Sequence, residues 1–126
     1  MLQRQSARRV AYLVSPSGAT AASELWSVRW NASAPTLLTQ VPTGRAIQSA
    51  ALTGDSARVL YTADEDAALV RQLHSIPVGG GPRRLLSGPM TIGGDVTSFL
   101  PGPADRSLYI ADQETSGVFE LYSVRH

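Results

Sequence analysis

Gly54-Asp55-Ser56-Ala57-Arg58-Val59-Leu60-Tyr61 is the stretch on which the reading of this chain turns, because its second half recurs. Arg9-Val10-Ala11-Tyr12 lies 49 residues before Arg58-Val59-Leu60-Tyr61, and Arg106-Ser107-Leu108-Tyr109 lies 48 residues after it. A fixed period of roughly 20 to 50 residues is the mark of stacked structural units. Outward from each Tyr, a second element follows some 13 residues later: Leu25-Trp26-Ser27-Val28, Leu73-His74-Ser75-Ile76 and Leu121-Tyr122-Ser123-Val124, with a period of 48. A third occurs twice, as Leu37-Leu38-Thr39 and Leu85-Leu86-Ser87, each closely preceded by a proline, Pro35 or Pro82. The fourth pairs Ile47-Gln48-Ser49-Ala50-Ala51-Leu52 with Val96-Thr97-Ser98-Phe99-Leu100-Pro101 at a spacing of 49, and Gly54 and Gly102 open the turns behind them.

Each element is short, rich in β-branched and aromatic residues, and bounded by Gly, Pro, Asp or Ser, the pattern of strands joined by tight turns. The best helical window is 63–72, where Asp64, Glu65 and Asp66 could open a helix. The other copies hold Ser15-Pro16-Ser17-Gly18 and Thr115-Ser116-Gly117 at that place, so it reads as a hairpin loop. In the first strand Val10, Tyr12 and Val14 share one face, while Ala11 and Leu13 share the other. A strand apolar on both faces is expected to be buried on both, so each sheet should have neighbours on either side. Blades set around an axis provide that environment, and a β-sandwich, whose sheets keep a wet outer face, provides it less readily. The expected fold is all-β: one β-propeller segment over 1–126, with about three four-stranded antiparallel blades near 1–44, 45–93 and 94–126.

The repeat resembles the TolB-type blade (WD40-like, PD40), in which a turn and an aromatic-bearing strand lead through a hairpin to a second aromatic strand, a Gly-rich turn and Arg-Leu-Thr. Gly54 to Tyr61, Leu73 to Gly81 and Pro82-Arg83-Arg84-Leu85-Leu86-Ser87 carry that likeness, with Phe119-Glu120-Leu121-Tyr122-Ser123-Val124 from the third copy. The period is longer than the 40 to 45 or so residues usual for such blades. A Trp-Ser-Pro-Asp signature is replaced by Leu52-Thr53-Gly54-Asp55 and Leu100-Pro101-Gly102-Pro103. In the family's order the fourth element is the innermost strand, which makes the first and last blades incomplete. Closed propellers use about four to eight blades, so the chain is expected to leave two sheet faces uncovered and to belong to a longer propeller or complete a ring with copies of itself.

Composition removes several chemistries. The 126 residues are 43% hydrophobic and 17% charged, a balance for a folded chain with a core. A formal charge of +1 gives no electrostatic basis for nucleic acid or an anionic membrane surface, and no apolar run implies membrane insertion. All eleven basic residues are Arg, which rules out lysine Schiff-base and general-base chemistry, and there is no Cys for a disulfide, thiolate nucleophile or thiolate metal site. Met1 to Arg9 is not followed by the apolar run of a signal peptide; a periplasmic or extracellular location is implied by the family resemblance alone.

The residues with chemical potential read mostly as blade features. His74 stands where the other copies have Trp26 and Tyr122, a packing position, and His126 is terminal and expected in solvent. Neither histidine has metal-ligand spacing. Asp64, Glu65 and Asp66 could offer carboxylates to calcium, but without the EF-hand pattern they read as a solvated hairpin tip. Ser27, Ser75 and Ser123 hold one repeat position and sit in no Gly-x-Ser-x-Gly elbow. Gly79-Gly80-Gly81 reads as a turn, and Arg83 and Arg84 as edge protection or a carboxylate or phosphate fork. Trp26, Trp30, Tyr61, Tyr109, Phe119 and Tyr122 are read as blade packing before a sugar or peptide surface, and Asn31-Ala32-Ser33 fits a glycosylation acceptor. No catalytic, metal or cofactor residue is assigned. The resemblance implies a non-catalytic, protein-binding or scaffolding domain of bacterial type. Its alternatives are the propeller portion of a prolyl-oligopeptidase-type serine peptidase, or a carbohydrate-binding propeller.

Overall fold

The computed structural model describes residues 9–15, 21–31, 34–103 and 105–126. Among them are ten strands, arranged in three antiparallel sheets, and no helix. The first sheet holds β1 (Arg9–Val14), β2 (Glu24–Arg29) and β3 (Thr36–Gln40), in that order. β4 (Ile47–Leu52), β5 (Arg58–Ala63), β6 (Gln72–Pro77) and β7 (Arg84–Leu85) make the second. The third consists of β8 (Val96–Pro101), β9 (Arg106–Thr115) and β10 (Val118–Arg125). Every connection is between sequence neighbours, so each period of the sequence folds into one up-and-down sheet.

The loop at 64–71 is indeed non-helical. Its counterpart in the third sheet is the two-residue turn Ser116-Gly117, where Gly117 takes φ of 83° at no steric cost. Gly80 and Gly81, with φ of 100° and 143°, turn the chain between β6 and β7, and Gly80 N–H donates to Pro77 O at 3.0 Å. Gly102 is held tighter still, since a Cβ there would lie 2.5 Å from the Arg106 carbonyl oxygen.

The core has two parts, on opposite faces of the second sheet. Leu25, Val41, Ile47, Val59, Tyr61, Ala63 and Ile76 form one, against the first sheet. Leu60, Leu73, Leu86, Val96, Tyr109 and Ala111 form the other, against the third. Fully burying each large aliphatic side chain contributes about 1.5–3 kcal/mol, so these two layers are the main source of stability. β5 is the strand buried on both sides, with Val59 to Ala63 all inaccessible. The same expectation for β1 needs correction: Val10 and Tyr12 are each 37% exposed, because no described segment covers that face of the first sheet.

Sequence repetition carries through to hydrogen bonding between sheets. The first residue of β4, Ile47, donates its N–H to Ala22 O at 2.9 Å, and the first residue of β8, Val96, donates to Arg71 O at 2.9 Å. Each clasp ties the opening strand of one sheet to the chain just before the third repeat element's predecessor, β2 or β6, in the sheet before it. No helix of the described residues is long and apolar enough to cross a membrane.

Candidate functional site at the loop end of the sheets

Three cross-strand features recur inside the sheets and absorb most of the side chains singled out above. The aromatic pair sits in register on the strands of the first and second repeat elements: Tyr12 opposite Trp26, Tyr61 opposite His74, and Tyr109 opposite Tyr122. The last two pairs stack with centroids 5.1 Å apart. Beside each pair an Arg reaches a Ser. Arg9 Nη1 donates to Ser27 Oγ at 3.1 Å, Arg58 Nε to Ser75 Oγ at 2.8 Å, and Arg106 Nε to Ser123 Oγ at 3.1 Å. The recurring serines are thus acceptors for structural guanidinium groups.

The third feature lies at the end of the sheets where the β5–β6 and β9–β10 hairpins turn. Asp64 Oδ1 accepts the Ala46 N–H at 2.8 Å and Oδ2 the Leu69 N–H at 3.2 Å. Asp112 repeats the arrangement with Asp95 N–H and Gly117 N–H, both at 2.8 Å. These backbone donors hold the Asp112 carboxyl below the ordinary carboxylate range, Gly117 contributing most. Each aspartate therefore ties its own hairpin to the approach of the sheet's first strand. A sequence signal for it existed: Tyr61-Thr62-Ala63-Asp64 and Tyr109-Ile110-Ala111-Asp112 share Tyr-x-Ala-Asp at a spacing of 48.

This overturns the reading of a solvated tip for Asp64 and Glu65, while Asp66 is exposed. Asp64 is buried, and Glu65 accepts hydrogen bonds from Thr39 Oγ1 and, at 2.7 Å, from the Tyr61 hydroxyl. Burial and the Glu65 carboxylate together push the Tyr61 phenol well above its usual pKa. Asp66 pairs with Arg83, whose hydrogen bond keeps that carboxyl low. Arg83 also lies 3.8 Å from the Glu65 carboxylate, and no group of His, Asp or Glu suited to a metal ion forms among the described residues. Arg83 does form a carboxylate fork, but to its own chain, and Arg84 Nη1 donates to the His126 carbonyl at 3.3 Å. His126 is buried rather than solvated, its Nδ1 lying 2.6 Å from Ser107 Oγ.

His74 occupies the aromatic position, as its place in the repeat indicates. Its Nδ1 faces Arg83 Nη1 at 3.1 Å. A guanidinium can only donate, so Nδ1 accepts and the ring proton sits on Nε2. That nitrogen is buried with no hydrogen-bond partner among the described residues, and burial lowers the pKa of the ring.

At this end lies an accessible concavity of about 360 Å³, lined by Gln48, Asp64, Leu69, Arg71 and Asp95. Asp95 Oδ1 accepts the Arg71 N–H at 2.7 Å, which fixes the wall between the second and third sheets. Arg71 Nε is buried within that wall and has no partner among the described residues. Leu69 stands at the rim with 88% of its surface exposed and with φ of 64°, a left-handed conformation that a Leu seldom takes. Its N–H bond to Asp64 holds it there. Ile92, on the β7–β8 connection, is 96% exposed. The rim of the hollow thus presents an exposed leucine in a strained backbone beside side chains of both charges.

Of the glycosylation pattern, Asn31 is exposed, while Ala32 and Ser33 lie outside the described residues, as do 1–8 of the amino-terminal segment and Pro16-Ser17-Gly18. Comparison of the sequence with protein-family models and with curated proteins finds no match.

Proposed function

We propose that this chain is a run of β-propeller blades similar to those of TolB-type proteins, and that it serves as a non-catalytic protein-binding or scaffolding unit. The observation that carries the blade reading is the second sheet, whose two faces are covered by two sheets of the same repeat. Stacked copies that hide one another's side chains are how blades around an axis are built. The recurring Tyr–ring and Arg–Ser pairs support it, because each is set by position in the repeat and not by a local reaction.

The protein-binding reading rests on Leu69. Backbone strain that the rest of a fold must hold in place is a recurrent sign of use, and here it presents an apolar side chain to solvent. A displayed random peptide library panned on the chain should enrich peptides with an apolar anchor. Leu69→Gly relieves the left-handed strain and leaves the fold at least as stable, while weakening the enriched peptides by more than about tenfold. Peptides that bind Leu69→Gly as tightly as the parent, or turnover of ester or peptide substrates above a blank, overturn the reading.

A further inference from the structure

The two outer faces of the stack are not a random pair of uncovered surfaces. On the strand that bears the repeated Tyr, the positions that point toward the preceding sheet are buried in the second and third sheets and open in the first: Tyr61 is 0% and Tyr109 4% exposed, against 37% for Tyr12. Positions that point toward the following sheet show the reverse. Leu25 and Leu73 are 0% exposed, and Leu121 is 66% exposed. Leu60 is likewise fully buried where Leu108 is 36% exposed.

The open face of the first sheet, with Val10, Tyr12, Trp26 and Leu37, is therefore the repeat equivalent of the ring-bearing faces that pack inside the molecule. That of the third sheet, with Leu100, Leu108, Ile110 and Leu121, is the equivalent of the leucine-bearing faces that receive them. It carries a shallow apolar hollow of about 190 Å³, lined by Leu100, Leu108, Ile110 and Leu121 among others. We propose that these faces are the two halves of one head-to-tail interface, through which a second copy of this chain docks with its Tyr12 face on the Leu108 face of the first. The inference rests on the blade reading above and adds the partner and the pairing. The chain carries both complements, and internal contacts of the same kind occur twice already. Because the two surfaces differ, the contact is heterologous: it closes into a ring if the rotation permits and otherwise continues as a chain of copies.

A heterologous contact has a signature that self-paired faces lack. Light scattering of the 126-residue chain over a concentration series should give a mass that rises above that of one copy. Tyr12→Asp and Leu121→Asp, each on an outer face, should separately remain single copies, with association weakened by more than about tenfold. Mixed in equal amounts, they should form a one-to-one dimer, because one intact head and one intact tail remain. Leu37→Asp replaces Tyr12→Asp if circular dichroism shows that variant unfolded. A parent chain that stays a single copy throughout, or variants that fail to complement one another while the parent associates, overturns the proposal. Hydrogen exchange separates that failure from a failure of the blade reading. If the second sheet is protected more than its neighbours, the stack stands and only the self-association is lost; if it is not, the stack itself is wrong.

Discussion

At position 74 the repeat asks for an aromatic ring and receives an imidazole. The ring keeps the stacking contact with Tyr61 but brings into the core a buried Nε2 with no hydrogen-bond partner among the described residues. Burial is the main cause of its lowered pKa; Arg83 acts in the same direction, and the Glu65 and Asp66 carboxylates oppose. A histidine whose folded pKa lies below the unfolded value of about 6.5 takes up its proton first in the unfolded chain. Its share of stability is thus complete above that pH and declines as the pH falls toward the folded pKa. His74→Phe keeps a stacked ring and removes the titration. Urea midpoints measured at pH 7, 6 and 5 should fall for the parent more than for the variant, and parallel pH profiles would contradict the assignment. The carboxyls of Asp55, Asp66 and Asp112 are shifted downward, so their contribution is present above about pH 4 and is lost only in more acid solution, clear of this window.

The hairpins are fixed by their aspartates, and here an element depends on one side chain. Asp64→Ala leaves the Ala46 and Leu69 N–H groups without their acceptor and frees the loop from the approach to β4. Both bonds are only partly buried, so their loss costs on the order of 1–2 kcal/mol, which should appear as a lower urea midpoint with an unchanged slope. Asp64→Asn retains an acceptor oxygen and should recover part of the loss. The strands themselves were legible in the sequence because period and alternation set them, and every element quoted from the repeat lies on a strand except the last residues of Leu85-Leu86-Ser87. The aspartates were not, although Tyr-x-Ala-Asp was visible twice. Three adjacent acidic residues read as a charged, wet tip, and only tertiary neighbours such as Thr39, Arg45 and Arg83 draw Asp64 and Glu65 into a junction. The His126 contact was hidden for the same reason: its partner Ser107 lies on a different strand, which no local pattern connects to the end of the chain.

Across the whole molecule, burial is decided by neighbouring sheets more than by residue type. Leu60 and Leu108 hold the same repeat position, yet one is enclosed and the other faces outward. Leu60→Ala should cost about 2–5 kcal/mol through lost transfer energy and the cavity left behind. For a single copy in dilute solution, Leu108→Ala should cost less than about 1 kcal/mol, and comparable losses in thermal or urea unfolding would show that the two faces do not differ as described. The sheets also differ in what they reveal to spectroscopy. The chain's two tryptophans, Trp26 and Trp30, lie on β2 and directly after it. Indole emission excited near the red edge consequently reports on the first sheet alone, which is packed on one side only, and stays silent about the other two. If that sheet frays before the rest, the fluorescence transition will run ahead of the far-ultraviolet dichroism, giving a built-in optical gauge of whether the stack melts as one body or is peeled from its outermost layer.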